Sequence, residues 1–430
     1  MEIEVLRFEH PFLYLDGSIG RYLSSYLHQL GASTVIVEKH YVDRDFLIDY
    51  AKFYARSFSA PERFTKRLHF FSLEFTKTEL EKALSGNQSA IKRLYTSYLG
   101  FIVLKPIKGA DGGSLVGRTV LKTYPKKADS DTRTFLTHKC KACLYGIPLD
   151  VDTLPFQTQD MAVAACATTS LWISLHPLSA LFQVPMLSPA EITERAVTFP
   201  GEERNFPSFG LNIGQMINFI NSIGLDTENI NVIREDNEVV PNAVRAYIAA
   251  GIPIIACLIL SKGGKQCDYH AAVISGYRTD VNGKIKELYV HDDQIGPYSR
   301  VKSSEPSFRI WENEWIKYGG YGEVRVERLL VPIYPKIRLT FGRIYSVYLK
   351  ERDKISAQGF GCNFFLTQVN QYKYFLLSRK LKDKPTILVE PLPRFIWVIR
   401  AYLNNEPILD ILYDGTEVFP KKLLTVNFCA

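Results

Sequence analysis

Between residues 19 and 30 the apolar positions recur at helical spacing. Ile19, Tyr22, Leu23, Tyr26, Leu27 and Leu30 fall on one face, and Gly31 ends the run. Residues 34–37, Thr-Val-Ile-Val, then predict a short strand. A second stripe, Phe46, Leu47, Tyr50 and Tyr54, places a helix over about 43–58. Phe101-Ile-Val-Leu104 predicts a buried strand, and an Asp111-Gly-Gly-Ser turn precedes another over 118–121. This first third reads as α/β.

The middle third alternates helical and strand patterns. An apolar helix is expected from near Cys166 to about His176, where Pro177 should stop it. Ser188-Pro-Ala-Glu191 is a capping box with proline at the first helical position. Ile213, Met216, Ile217, Ile220 and Ile223 form an amphipathic helix closed by Gly224, and 242–249 predicts another. Gly251-Ile-Pro-Ile-Ile-Ala-Cys-Leu-Ile-Leu260 reads as a buried strand. Two strands follow, Tyr269-His270-Ala-Ala-Val-Ile-Ser-Gly276 and 285–290, joined by an Asn282-Gly283 hairpin signal. The last hundred residues turn strand-rich. Residues 395–403 and 407–413 read as a hairpin about Asn404-Asn405, and 373–384, basic but interrupted by apolar residues, as an edge strand.

The chain has 430 residues, enough for two or three domains, and 46% hydrophobic content supports sizeable cores. A formal net charge of +7 is mild for this length, and the lysines and arginines are scattered. That reads as a solvated surface and argues against nucleic acid as a partner. Seven cysteines at irregular spacing argue against a disulfide framework and for a reducing compartment. The N-terminus lacks a signal-peptide core. The most apolar stretch, 246–260, is too short for a membrane span and is broken by Gly251 and Pro253. A cytoplasmic protein with no membrane association is expected.

Candidate chemistry centres on Cys166, His270 and Asp292. A free thiol is mostly protonated at neutral pH and needs a base to become a nucleophile. A histidine is the usual base, held in one tautomer by an acid. Cys166 is expected at a helix N-terminus, where the helix dipole and free amides favour a thiolate. His270 and the Asp292-Asp293 pair lie on consecutive strands of a hairpin, which brings them side by side. A glutamine amide ahead of the cysteine can donate to a developing oxyanion; Gln159 is the first candidate and Gln157 the second. The competing cluster, His138-Lys-Cys140-Lys-Ala-Cys143, has a C-x-x-C but no second ligand pair, and the Gly112-Gly113 pair is not a phosphate loop. Neither metal nor cofactor is expected. His291 should face away from His270, and His69 reads as a partly buried strand histidine.

The run from about 154 to 297 resembles the papain-like cysteine peptidases, most closely the branch of bacteriocin-leader (double-glycine) processing peptidases. The resemblance rests on Gln159 before Cys166, on Ala249 to Ile254 with Gly251 and Pro253, on His270-Ala-Ala-Val-Ile-Ser-Gly276-Tyr277, and on Val290-His-Asp292. It covers about a third of the chain. It implies an α+β fold. A papain-like domain over 146–335 would set a helical lobe bearing the cysteine against an antiparallel β-lobe bearing the histidine and acid. An α/β region over 1–145 and a β-rich region over 336–430 would flank it. It also implies a Cys166–His270–Asp292 triad with Gln159 at the oxyanion, acting on a protein or peptide substrate at a peptide or isopeptide bond.

Three departures stand out. Gln159 precedes Cys166 by seven residues where six is usual, Ala167 follows the cysteine where glycine is common, and an unbulged two-residue Asn282-Gly283 loop would place Asp293 on the face of His270. The resemblance favours Asp292. Two other activities fit the same residues: an inactive papain-like binding module, and an acyl transferase resembling transglutaminases.

Overall fold

The computed structural model describes residues 3–58, 60–109, 112–125, 132–160, 165–199 and 210–429. Asp111 of the expected turn, and residues 161–164 just before Cys166, lie outside them. The fold is mixed α+β with antiparallel sheets.

The N-terminal unit runs β1 (Glu4–Arg7), α1 (Gly17–Gln29), β2 (Thr34–Tyr41), α2 (Arg44–Lys52), a single 3-10 turn (Tyr54–Arg56), β3 (Thr65–Phe71), α3 (Lys77–Leu84), α4 (Gln88–Ser97), β4 (Tyr98–Lys108) and β5 (Ser114–Leu121). Its strands form one sheet in sequence order, every neighbouring pair antiparallel. This corrects the α/β expectation: the helices sit in connections between antiparallel strands, not in parallel crossovers. α2 ends earlier than the apolar stripe suggests, and Tyr54 belongs to the 3-10 turn. Next come β6 (Thr132–Phe135), β7 (His138–Leu144) and β8 (Ile147–Thr153). The β7–β8 hairpin packs Cys140, Leu144, Leu149 and Val151 against Phe101, Val103 and Val120 of the first sheet.

The central unit begins with α5 (Cys166–Phe182), α6 (Pro189–Ala196), α7 (Ile213–Ser222), β9 (Asp226–Asn231) and α8 (Val239–Ile248). It continues with β10 (Ile254–Lys262), β11 (Lys265–Thr279), β12 (Ile285–Asp292), β13 (Gly296–Val301), α9 (Glu314–Lys317) and β14 (Glu323–Ile333). Its sheet has the order β13-β12-β11-β10-β14-β9, and β6 pairs with the far end of β11. Gly276 is required there, because a Cβ would sit 2.4 Å from the Thr134 carbonyl oxygen. α5 does not stop at Pro177 but continues to Phe182. The helix is buried on nearly every side, and that burial outweighs the roughly 3 kcal/mol an interior proline costs. The Ser188 capping box forms as expected, Ser188 Oγ accepting from the Glu191 amide.

The C-terminal unit holds α10 (Phe341–Ser356), β15 (Gly361–Gln368), α11 (Val369–Leu377), α12 (Lys384–Val389), β16 (Phe395–Leu403), β17 (Glu406–Asp414) and β18 (Lys422–Asn427), the strands paired in chain order. Asn404 and Asn405, both at positive φ, make the expected two-residue turn. The expected edge strand over 373–384 is instead the end of α11, a turn and the start of α12. Tyr372 and Leu376, four residues apart, are both buried, so the helical period prevails and the unit is less β-rich than the sequence suggested. Among the described residues no helix is long and apolar enough to cross a membrane.

The first unit is bolted to the helix that carries Cys166. Asp45 of α2 accepts the Trp172 indole N–H at 2.9 Å and meets Arg118 at 3.1 Å. Asp49, fully buried, accepts the Ala190 amide at the start of α6. Tyr54 hydrogen-bonds Asp160. Burial pushes the Asp49 carboxyl up to about 7, which has a consequence for stability. Between pH 4 and 7 the folded chain holds a proton on Asp49 that the unfolded chain has lost, so stability falls as pH rises through that window. The loss reaches about 4 kcal/mol. Asp49→Asn should therefore gain on the parent in denaturant unfolding as pH is raised from 5 to 8. A difference that does not move with pH would show that Asp49 stays ionised in the fold.

Candidate active site

Cys166 is the first residue of α5, and its thiol is half-buried. The first intrahelical bond ahead of it runs from the Thr169 amide to Ala165 O at 3.0 Å. The Cys166 amide therefore belongs to the unbonded first turn, with the positive end of the helix dipole. α5 packs across β11 and β10, and β11 carries His270. The imidazole is buried, 4% exposed, and lies beside the Cys166 thiol.

Asp292 closes β12. Its Oδ2 is 3.1 Å from His270 Nε2, while the nearer oxygen of Asp293 is 3.6 Å away. The pairing explains the order. Val273 faces His291 and Ile274 faces Val290, but Gly276 faces Tyr289, so the ladder slips by one residue at Ser275, as it does the opposite way between Arg278 and Thr279. Without the slip at Ser275, 293 would share the face of His270; with it, 292 does. The loop is also longer than two residues: Asp280 N bonds Lys284 O, and the Asp280 carboxylate accepts from the Asn282 and Lys284 amides.

Asp292 is held from three sides. The Gln294 amide donates to Oδ1 at 3.0 Å, and the Trp315 indole N–H donates to Oδ2 at 2.8 Å beside His270. Trp315 lies on α9, its ring 5.1 Å from that of His270 and tilted by 63°. Sequence reasoning did not find Trp315. It sits 23 residues beyond Asp292 in a four-residue helix with no legible period.

Burial disfavours a charged His270, but the Asp292 carboxylate and the Cys166 thiol outweigh it and hold the imidazole well above its ordinary pKa. Burial likewise opposes charge on Asp292, while His270, Trp315 and the Gln294 amide hold its carboxyl below the usual range. For Asp293 burial wins: His270 pulls the other way, the Asp292 charge adds to burial, and the carboxyl is pushed up. Both Asp293 oxygens lack a hydrogen-bond partner among the described residues.

The two glutamines differ. Gln159 is half-buried, whereas Gln157 is 2% exposed and its amide nitrogen has no partner among the described residues. Gln157 lies between a bridge of Phe156 with Thr119 and a hydrogen bond from Thr158 N to Val116 O, so the segment is fastened to the edge of the first sheet.

The competing groups have structural surroundings. His291 points away from His270, with Nε2 2.9 Å from Leu154 O, and Tyr298 N donates to its Nδ1. His69 lies between Glu38 and Tyr98, 2.9 Å from each. Cys140 is buried 3.3 Å from His138, with its thiol pushed up to about 12 by burial, while Cys143 is exposed. Three positions apart on β7, the two thiols face opposite sides and cannot clamp one ion. The one group of potential metal ligands among the described residues is His270, Asp292 and Asp293, whose ligating atoms lie within 4.8 Å of one another.

No protein-family model matches the chain, and no curated protein matches it significantly.

Proposed function

We propose that the protein is a cysteine-dependent hydrolase of papain-like arrangement, cleaving a peptide or isopeptide bond. The observation that carries this is the buried His270, engaged by Asp292 through Nε2 and lying beside the thiol at the start of α5. With Nε2 taken by the acid, Nδ1 is left for Cys166. Cys166 attacks the carbonyl carbon, His270 takes the thiol proton and returns it to the leaving amine, and water then releases the acyl group from sulfur. The Cys166 amide faces the oxyanion from the helix start, and a glutamine amide supplies the second donor. Gln159 has the spacing closer to the resemblance, but the unpartnered, buried Gln157 amide favours Gln157.

Iodoacetamide labelling of the native chain, read by peptide mass spectrometry, tests this reading. Cys166 should label first of the seven cysteines, and His270→Ala should slow it by tenfold or more, since the imidazole is the base that takes the thiol proton. Cys257, buried with its thiol pushed up to about 12, should label only on unfolding. Labelling of Cys166 no faster than of Cys257 would favour the non-catalytic binding module.

A further inference from the structure

We propose that His270 Nε2, Asp292 and Asp293 form a site for a single zinc ion, and that filling it silences the thiol. This rests on the hydrolase reading only for its consequence; the site itself stands on geometry. Nε2 lies 3.1 Å from Asp292 Oδ2 and 3.6 Å from Asp293 Oδ1, and all three side chains are at most 2% exposed. Donor atoms about 2.0–2.1 Å from a tetrahedral zinc stand roughly 3.3–3.4 Å apart, and the two observed separations straddle that edge. An imidazole nitrogen with two carboxylates suits zinc better than magnesium or calcium, which take oxygen ligands in larger number.

The second observation is what these atoms lack. Neither Asp293 oxygen has a hydrogen-bond partner among the described residues, and the nearer one stands 3.6 Å from His270 Nε2. Buried carboxylates are ordinarily paired or bound to metal. A divalent cation at this point would pair with both carboxylates at once.

Ligation would use the Nε2 lone pair, so the imidazole proton would sit on Nδ1. That nitrogen could no longer take the proton of Cys166. Zinc and catalysis therefore compete for one imidazole, and the chain would be active only where free zinc is low.

The test separates the two claims. Zinc sulfate is titrated calorimetrically into chelator-treated Cys166→Ala protein, which removes any thiol–imidazole zinc site. One equivalent should bind, Asp293→Asn in that background should weaken it at least tenfold, and magnesium chloride should give no comparable binding. Asp292→Asn serves as the second variant if melting shows that Asp293→Asn does not fold. In the parent chain zinc should slow iodoacetamide labelling of Cys166 at least tenfold, and EDTA should restore it. Zinc binding that survives both acid substitutions, or equal binding of magnesium, overturns the site. Binding confirmed in Cys166→Ala, with Cys166 inert in the parent even after EDTA, keeps the site and ends the hydrolase reading instead.

Discussion

Cys166→Ala should lower turnover of any peptide or isopeptide substrate by on the order of 10⁴-fold or more, with unfolding behaviour unchanged. The substitution removes one half-buried sulfur at a helix start, so little packing is lost, while the acyl acceptor disappears. Among the described residues no neighbour is placed to replace it. Thr168, Thr169 and Ser170 on the same helix are buried, and Thr168 is engaged with Thr193. Cys257 on the facing strand is buried with a thiol pushed up to about 12, so it carries almost no thiolate at neutral pH. His270→Ala should cost about 10²–10⁴-fold, the usual worth of a positioned base. Screening a peptide library with parent and variants reads both. Cleavage by Cys166→Ala at the parent's rate would place the chemistry elsewhere in the molecule.

Much of this was legible because it is local. The Ser188 capping box, the Asn404-Asn405 turn and the Gly31 and Gly224 stops each involve residues a few positions apart, and each forms where expected. The closeness of His270 and Asp292 was legible because they lie on consecutive strands of one hairpin. What failed was set at long range. The span of α5 past Pro177 depends on neighbours that surround it, and the helical ending of 373–384 depends on the sheet that buries Tyr372 and Leu376. The bolts from Asp45 to Trp172 and from Asp49 to Ala190 join residues 127 and 141 positions apart, and no spacing rule reaches that far. The irregularity at Ser275, which decides between two adjacent aspartates, is marked in the sequence only by the lone strand glycine beside it, Gly276.

Asp292→Asn should lower turnover about 10²–10⁴-fold, and Asp293→Asn should lower it by no more than about tenfold. The difference follows from what each carboxylate holds. Asp292 receives one N–H from the Gln294 amide and another from Trp315, beside His270. An asparagine cannot keep both donors. If its oxygen faces Trp315 and His270, its NH2 group meets the Gln294 N–H, leaving a buried donor unpaired at about 1–3 kcal/mol. If the amide turns over, its NH2 meets Trp315 and forces Nε2 of His270 to become an acceptor. The proton then sits on Nδ1, and the base is lost. Trp315→Phe keeps the ring against His270 but removes one donor, so its effect should fall between the two aspartate variants. Asp293 accepts no hydrogen bond among the described residues, and burial already favours its neutral form, so an amide changes its charge little. The readout is turnover by the three variants at one pH, with melting curves to confirm folding. If Asp293→Asn is the damaging change and Asp292→Asn the mild one, the hairpin pairs without its irregularity at Ser275, and the orienting acid is Asp293.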